Sequence, residues 1–203
     1  ERLYDELALS APVNHAFINH HLRLDGYAAE QLLAMVAMRD HAFLAAHWFG
    51  NDLADTLNIE VRQGFSMQED TSDIRFVGDH RMAHGVFRFA RGFPGAHFTR
   101  FDTARTRVVA VDGASRPVLL HMAWGDGRIV LCSAPLAFTN YNLLKDRNAR
   151  FAAAALSLLP PRPLWWDEYL KAGRTENSSF FRFLLSQPAL KWALYLAEAL
   201  LVL

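Results

Sequence analysis

Residues 116–141 constrain this chain more than any other stretch. Two almost uninterrupted apolar runs, Pro117–Trp124 and 128–132, flank Gly125-Asp126-Gly127. Ser133-Ala134-Pro135-Leu136-Ala137-Phe138-Thr139-Asn140-Tyr141 follows as an ordered loop. Apolar runs joined by a short Gly/Asp loop predict a β-hairpin. Polar residues hardly alternate with apolar ones in either run, so both faces of the hairpin need cover, as at the centre of a layered α/β sheet.

The composition can build such a core. Of 203 residues, 52% are hydrophobic and 21% charged, which fits one domain with an appendage, or two small domains, and excludes wholesale disorder. Lys+Arg 21 balances Asp+Glu 21, and with no long basic run there is no electrostatic footprint for nucleic acid. The single cysteine, Cys132, excludes an internal disulfide and a Cys-rich zinc site. The chain opens on Glu1-Arg2-Leu3 without a signal-peptide pattern and closes on Leu201-Val202-Leu203 inside an apolar run. Both ends are expected to be cuts in a longer protein.

Taken in order, residues 3–9 predict a short helix that Ser10-Ala11-Pro12 ends. Residues 13–20 read as a strand. Asp25 then stands as N-cap before Ala29, Leu32, Leu33, Val36 and Ala37, which share one helical stripe. Residues 41–47 form a second strand. Strand, helix and strand with short joints predict a right-handed βαβ unit with parallel strands. A short helix is expected from Gly50-Asn51-Asp52 to Leu57. Residues 58–112 alternate Ile59/Val61, Ile74/Phe76, Phe87/Phe89 and Phe98 with polar residues, which predicts an antiparallel excursion at the sheet margin. Residues 146–159 read as a helix, with Pro160-Pro161 as its stop.

Beyond that stop, residues 161–187 read as an aromatic linker around Trp165, Trp166 and Tyr169. From Pro188 to the end the chain is apolar except for Lys191 and Glu198. Fifteen helical residues at about 1.5 Å each reach roughly 22 Å, short of a hydrocarbon core of roughly 30 Å. The run is therefore either a core-packing helix or the start of a membrane span.

Three stretches resemble a bacterial membrane-protein family, domain of unknown function 4350. They are 133–141 with Leu143-Leu144; Trp166-Asp167-Glu168-Tyr169 with Lys171, Gly173 and Arg174; and Arg182-Phe183-Leu184-Leu185-Ser186-Gln187-Pro188 with Leu190, Trp192 and Ala193. The resemblance implies a three-layer α/β domain over residues 1–160, similar to class I glutamine amidotransferases, with a flavodoxin-like open sheet and without its N-terminal part. It implies that residues 188–203 begin a transmembrane helix, which makes the membrane a partner. It also implies protein partners from a MoxR-type ATPase system, and it brings no cofactor and no activity. The motif and interaction positions that the resemblance implies are Pro135, Phe138, Thr139, Asn140, Tyr141, Trp166, Asp167, Glu168, Tyr169, Arg174, Arg182 and Trp192. The family's basic tail, set against Lys171, Arg174, Arg182 and Lys191 before the helix, places the domain outside the cytoplasm of a bacterial inner membrane.

Candidate chemistry is sparse. An amidotransferase-like nucleophile belongs on a sharp strand-to-helix turn with small neighbours, and Cys132 instead sits inside an apolar run without flanking glycine. Among the nine histidines, His80 and His84 have i, i+4 spacing, yet they sit in a Gly-flanked segment that reads as a solvated loop. His20, His21 and His47 fall just past the carboxyl ends of two parallel strands, where open α/β sheets place ligands, and Trp48, Asn140 and Tyr141 are expected on the same rim. Asp167 and Glu168, adjacent on an extended segment, point to opposite faces and do not pair as acid and base. The leading expectation is a non-catalytic, membrane-tethered binding or assembly module with no metal. The alternatives are a small-ligand sensor at the histidine rim and a divergent hydrolase.

Overall fold

The computed structural model describes residues 11–63, 72–78, 85–89 and 95–167. They fall in the first of two compact units, residues 1–170.

The expected βαβ unit is present. Strand β1 (Asn14–Ile18) leads through the two-residue β2 (His21–Leu22) to helix α1 (Gly26–Met38), and β3 (His41–Ala45) returns parallel to β1, pairing Ala16 with Phe43. The Asp25 side chain accepts the Ala28 N–H at 2.7 Å, satisfying a donor that the first helical turn would leave unpaired. Ala29, Leu32, Leu33, Met35 and Val36 form the buried stripe. A second two-residue strand, β4 (Trp48–Phe49), pairs with β2. Helix α2 (Asn51–Leu57) follows and ends on Asn58 in the left-handed conformation.

Strands β5 (Glu60–Arg62), β6 (Ser72–Phe76), β7 (Val86–Phe89), β8 (His97–Arg100), β9 (Thr106–Asp112), β10 (Pro117–Trp124) and β11 (Gly127–Cys132) come next. The hairpin expected at 117–132 is β10–β11, and it supplies the centre of an eight-stranded sheet. The tip of that hairpin sits on the last turn of α1: the Asp126 N–H donates to the Ala37 carbonyl at 2.9 Å and Trp124 Nε1 to the Leu33 carbonyl at 3.1 Å. Gly125 has a φ of 57°, and a Cβ on Gly127 would lie 2.1 Å from the Val36 carbonyl oxygen. Only glycine lets the two elements approach this closely.

The 133–141 segment contains a 3-10 turn (Pro135–Phe138) and opens the short helix α3 (Asn140–Leu143). Helix α4 (Asn148–Leu156) is shorter than the 146–159 expected, and Asn148 at its first position is buried, its amide donating to the Arg88 carbonyl at 3.0 Å.

Two expectations need correction. The sheet runs β12-β1-β3-β11-β10-β9-β6-β7, where β12 is Leu164–Trp166. It is a mixed sheet with few helices, and the three-layer flavodoxin-like, amidotransferase-like architecture does not hold. The reason is connectivity. A flavodoxin-like sheet needs a helical crossover between successive parallel strands, whereas β9, β10 and β11 join by hairpins, which require antiparallel neighbours and bring no helix. The antiparallel strands are half of the sheet rather than an excursion at its margin. The membrane-spanning helix is the second correction: no helix among the described residues is long and apolar enough to cross a membrane. The run at 188–203 on which the sequence places it lies outside the described residues, as does the helix expected at 3–9.

The front of the segment read as a linker enters the sheet: Leu164, Trp165 and Trp166 pair in parallel with Asn14, His15 and Ala16. The core divides over the two faces. Helices α1 and α2 cover Leu44, Leu120, Met122 and Leu131, while α4, through Phe151, covers Phe43, Val130, Phe76, Phe87 and Phe89.

Candidate functional site

The histidine rim assembles as the strand-end rule requires. The β2–β4 pair lies just past β1 and β3 and clamps their extensions together, with the His47 N–H on the His20 carbonyl at 3.0 Å. His20 and His21 stack with ring centroids 4.6 Å apart at 4°. His47 meets His20 edge-on at 4.7 Å, and Trp48 lies 6.1 Å from His21 with the Arg23 guanidinium 5.4 Å from its ring. His47 is buried, and its Nδ1–H donates to the Ser133 carbonyl at 3.0 Å, while among the described residues Nε2 has no partner. Burial first, then the neighbouring His20, push His47 down to about 4. Burial and His20 also lower His21, with Arg23 contributing.

This cluster packs against itself. Stacked imidazoles present their nitrogens side by side, not toward one point, and among the described residues no group of three or more potential ligands is placed to hold a metal ion. Asn140 and Tyr141 are exposed on α3, where the Lys145 ammonium donates to the Tyr141 hydroxyl and lies 3.9 Å from its ring centroid. Of the other motif positions, Pro135 is buried, Phe138 packs edge-on to Phe43 at 5.2 Å, and the Thr139 hydroxyl donates to the Leu136 carbonyl at 2.8 Å. These residues shape the turn into α4. Trp165 and Trp166 are exposed on the edge strand, and the Asp167 N–H donates to the Ala16 carbonyl. His80, His84, Glu168, Tyr169, Arg174, Arg182 and Trp192 lie outside the described residues.

Cys132 is fully buried in β11, and burial pushes its thiol up to about 12. A thiol held neutral at the centre of a sheet is no nucleophile at neutral pH.

Sequence reasoning missed a groove of about 680 Å³ between α1 and α2. Its floor is apolar and small (Ala29, Leu33, Ala34 and Ala37, with Trp124 at the hairpin end), and Glu30, Asp52 and Asp55 rim it. All three acids are exposed, and among the described residues none forms an ion pair. The signal was present in part: Asp52 and Asp55 are three apart on α2 and so share a face. Their position opposite Glu30 required the tertiary fold.

The family model described as domain of unknown function (DUF4350) matches residues 2–156. No curated protein matches the chain. Among solved structures, the mmIFT52 N-terminal domain is similar, with a TM-score of 0.55 at 12% identity over 78% of this chain and 80% of that one. A cytoplasmic protein of Salmonella typhimurium, STM3548, gives 0.50 at 13% identity over 77% and 74%. The beta-galactosidase from Bacillus circulans sp. alkalophilus gives 0.47 at 15% over 72% of this chain, which spans only 22% of that enzyme's chain. At these identities the likeness is one of fold, and these neighbours are not amidotransferase-like.

Proposed function

We propose that this chain, which belongs to the domain of unknown function 4350 family, is a non-catalytic binding module that docks a basic amphipathic segment of a protein partner. The groove between α1 and α2 carries this reading. Small residues on its floor allow a helix to approach closely, and Leu33 and Trp124 give that helix apolar contact. Among the described residues no cation pairs with the carboxylates of Glu30, Asp52 and Asp55. Lysines or arginines flanking an apolar stripe complement that arrangement. The buried, neutral Cys132 supports the non-catalytic half of the reading, since the thiol available for amidotransferase-type chemistry is sealed in the sheet. A MoxR-type ATPase system, which the family resemblance implies, is the first place to look for the partner.

The test uses a synthetic Leu/Ala/Lys helical peptide as probe and fluorescence anisotropy as readout. Binding is expected to weaken as salt rises, because exposed charges more than about 10 Å apart are screened at 0.1 M. Glu30→Gln/Asp52→Asn/Asp55→Asn together should weaken it at least about ten-fold. Ala34→Trp, which fills the groove from an exposed helix position, should block it. Unchanged affinity in both variants would refute the docking site.

A further inference from the structure

A second concavity, on the opposite face of the sheet, leads to a different ligand. The strand registers place distant residues in rows. Asn14, His41, Arg128 and Ala123 pair successively across β1, β3, β11 and β10, and the next row is Ala16, Phe43, Val130, His121 and Arg107. Residues paired across a sheet share a face. Helix α4 packs on the apolar part of that face, at Phe43, Val130 and Leu119. The remainder stays open as a pit of about 440 Å³ lined by Arg105, Arg107, His121, Ala123 and Arg128.

The pit is cationic, and among the described residues buried nitrogens in and beside it lack partners. Arg105 is held by Asp102 at 2.7 Å, but Arg107 and Arg128 form no ion pair among the described residues. Among the described residues the buried Nε2 of His121 has no hydrogen-bond partner, nor has the buried Nδ1 of His41, which pairs in strand register with Arg128 beside the pit and is only 8% exposed. Burial and then Arg128 and Arg107 push His121 down to about 4, with His41 adding to the repulsion. Burial, Arg162 and Arg128 lower His41, opposed only by Asp40. That carboxylate is already engaged, accepting from the Val13 N–H at 3.0 Å and meeting His15 Nε2 at 2.9 Å. Two guanidiniums without an ion pair, beside neutral buried imidazoles with open hydrogen-bonding capacity, complement an anion.

We propose that this pit binds the phosphoryl group of a phosphorylated small molecule, with Arg107 and Arg128 as its charged contacts and His121 as a hydrogen-bond donor at its floor. Guanidinium forks match the tetrahedral oxygens of phosphate in pairs. The volume falls in the range of small-ligand sites, about 300–1,000 Å³. Lys+Arg 21 balances Asp+Glu 21 over the chain and no long basic run adjoins these arginines in sequence, which does not fit a nucleic-acid track. The site is separate from the acidic groove and stands without it.

Calorimetry of the full chain with inorganic pyrophosphate tests the site, alongside sedimentation with phosphatidylcholine vesicles with and without phosphatidylglycerol. Arg107→Gln/Arg128→Gln changes two exposed side chains, so the fold should persist, and pyrophosphate affinity should fall at least about ten-fold. Arg147→Gln, an exposed charge elsewhere, should leave affinity within about two-fold. The His121 imidazole NMR signal should titrate near 4 in the free protein and shift upward when pyrophosphate is bound. Pyrophosphate binding without vesicle binding assigns a soluble phosphometabolite, whereas vesicle binding released by pyrophosphate assigns a lipid headgroup. Binding of neither probe, or binding that the double arginine variant leaves intact, overturns the proposal.

Discussion

The two halves of the sheet are built on different principles. In the parallel half, β3 is buried at every position from His41 to Ala45, because α1 covers one face and α4 the other. In the antiparallel half, β7 alternates exposed and buried, with Phe87 and Phe89 inward and Val86 and Arg88 outward. Helices cost chain length, and this chain uses them where crossovers between parallel strands already supply them. Both halves meet at Phe151, which shares a core cluster with Phe43 of β3 and whose ring lies 5.4 Å from Phe76, 5.7 Å from Phe87 and 5.3 Å from Phe89.

The largest expected effect comes from the doubly covered half. Phe43 and Leu44 are neighbours in sequence, fully buried, and belong to different core clusters on opposite faces. Phe43→Ala should cost about 3–5 kcal/mol and Leu44→Ala about 2–5 kcal/mol, read from urea midpoints. A small cost for either one would mean that one face of β3 is uncovered, and the contrast between the halves would collapse.

This contrast also marks what the sequence makes legible. Asp25, the stripe Ala29/Leu32/Leu33/Val36 and the apolar run in β3 obey local periodicities, so the βαβ unit can be read directly. The hairpin can be read too, but its partners cannot: nothing local says that β11 lies beside β3 and that β10 then turns the sheet antiparallel. Strand β12 is three exposed residues behind prolines, which reads as a linker, and only its register with β1 makes it a strand. Of the candidate rim, His20, His21, His47 and Trp48 were legible because they follow two parallel strands. Tyr141 stands exposed on α3, where its hydroxyl accepts from Lys145. The cationic pit was invisible, since Arg107, His121, Arg128 and His41 are spread over three hairpin-linked strands and the βαβ unit. Register alone brings them together.

A buried imidazole at the strand ends gives the next effect. His47 has a folded value of about 4 against an ordinary 6.5, so between these values the unfolded chain binds the extra proton. Its contribution is therefore intact above about 6.5 and is lost as pH falls toward 4, on the order of 3 kcal/mol in all. His121 acts in the same direction, weakened by its partial exposure. His47→Gln can still donate to the Ser133 carbonyl and should flatten the acid limb of a stability–pH curve measured from pH 8 to about 4.5. An acid limb as steep as before would place the sensitivity elsewhere.

A smaller effect belongs to the β9–β10 turn inside the antiparallel half. The buried Asp112 carboxylate accepts from the Ala114 N–H at 3.0 Å, the Arg116 N–H at 2.8 Å and Arg116 Nε at 2.7 Å, closing the β9–β10 connection in which Ser115 takes a φ of 62°. Asp112→Asn keeps the shape but loses the charge-assisted bonds, and should cost about 2 kcal/mol. Equal stability would mean that the backbone of the connection holds itself.

The smallest effect is also the sharpest test of the asymmetry. Val86 is 60% exposed and sits opposite Arg75 on the outer face of the β6–β7 pair. Val86→Thr keeps the branched side chain that suits a strand and should change stability by less than about 0.5 kcal/mol. One residue on, Phe87 packs edge-on against Phe76 and Phe151, so Phe87→Ala should cost about 3–5 kcal/mol. Adjacent residues would then differ by nearly an order of magnitude in β7, while Phe43 and Leu44 in β3 would not. Comparable losses at Val86 and Phe87 would require cover on the outer face of β7, and the two halves of the sheet would then follow one rule.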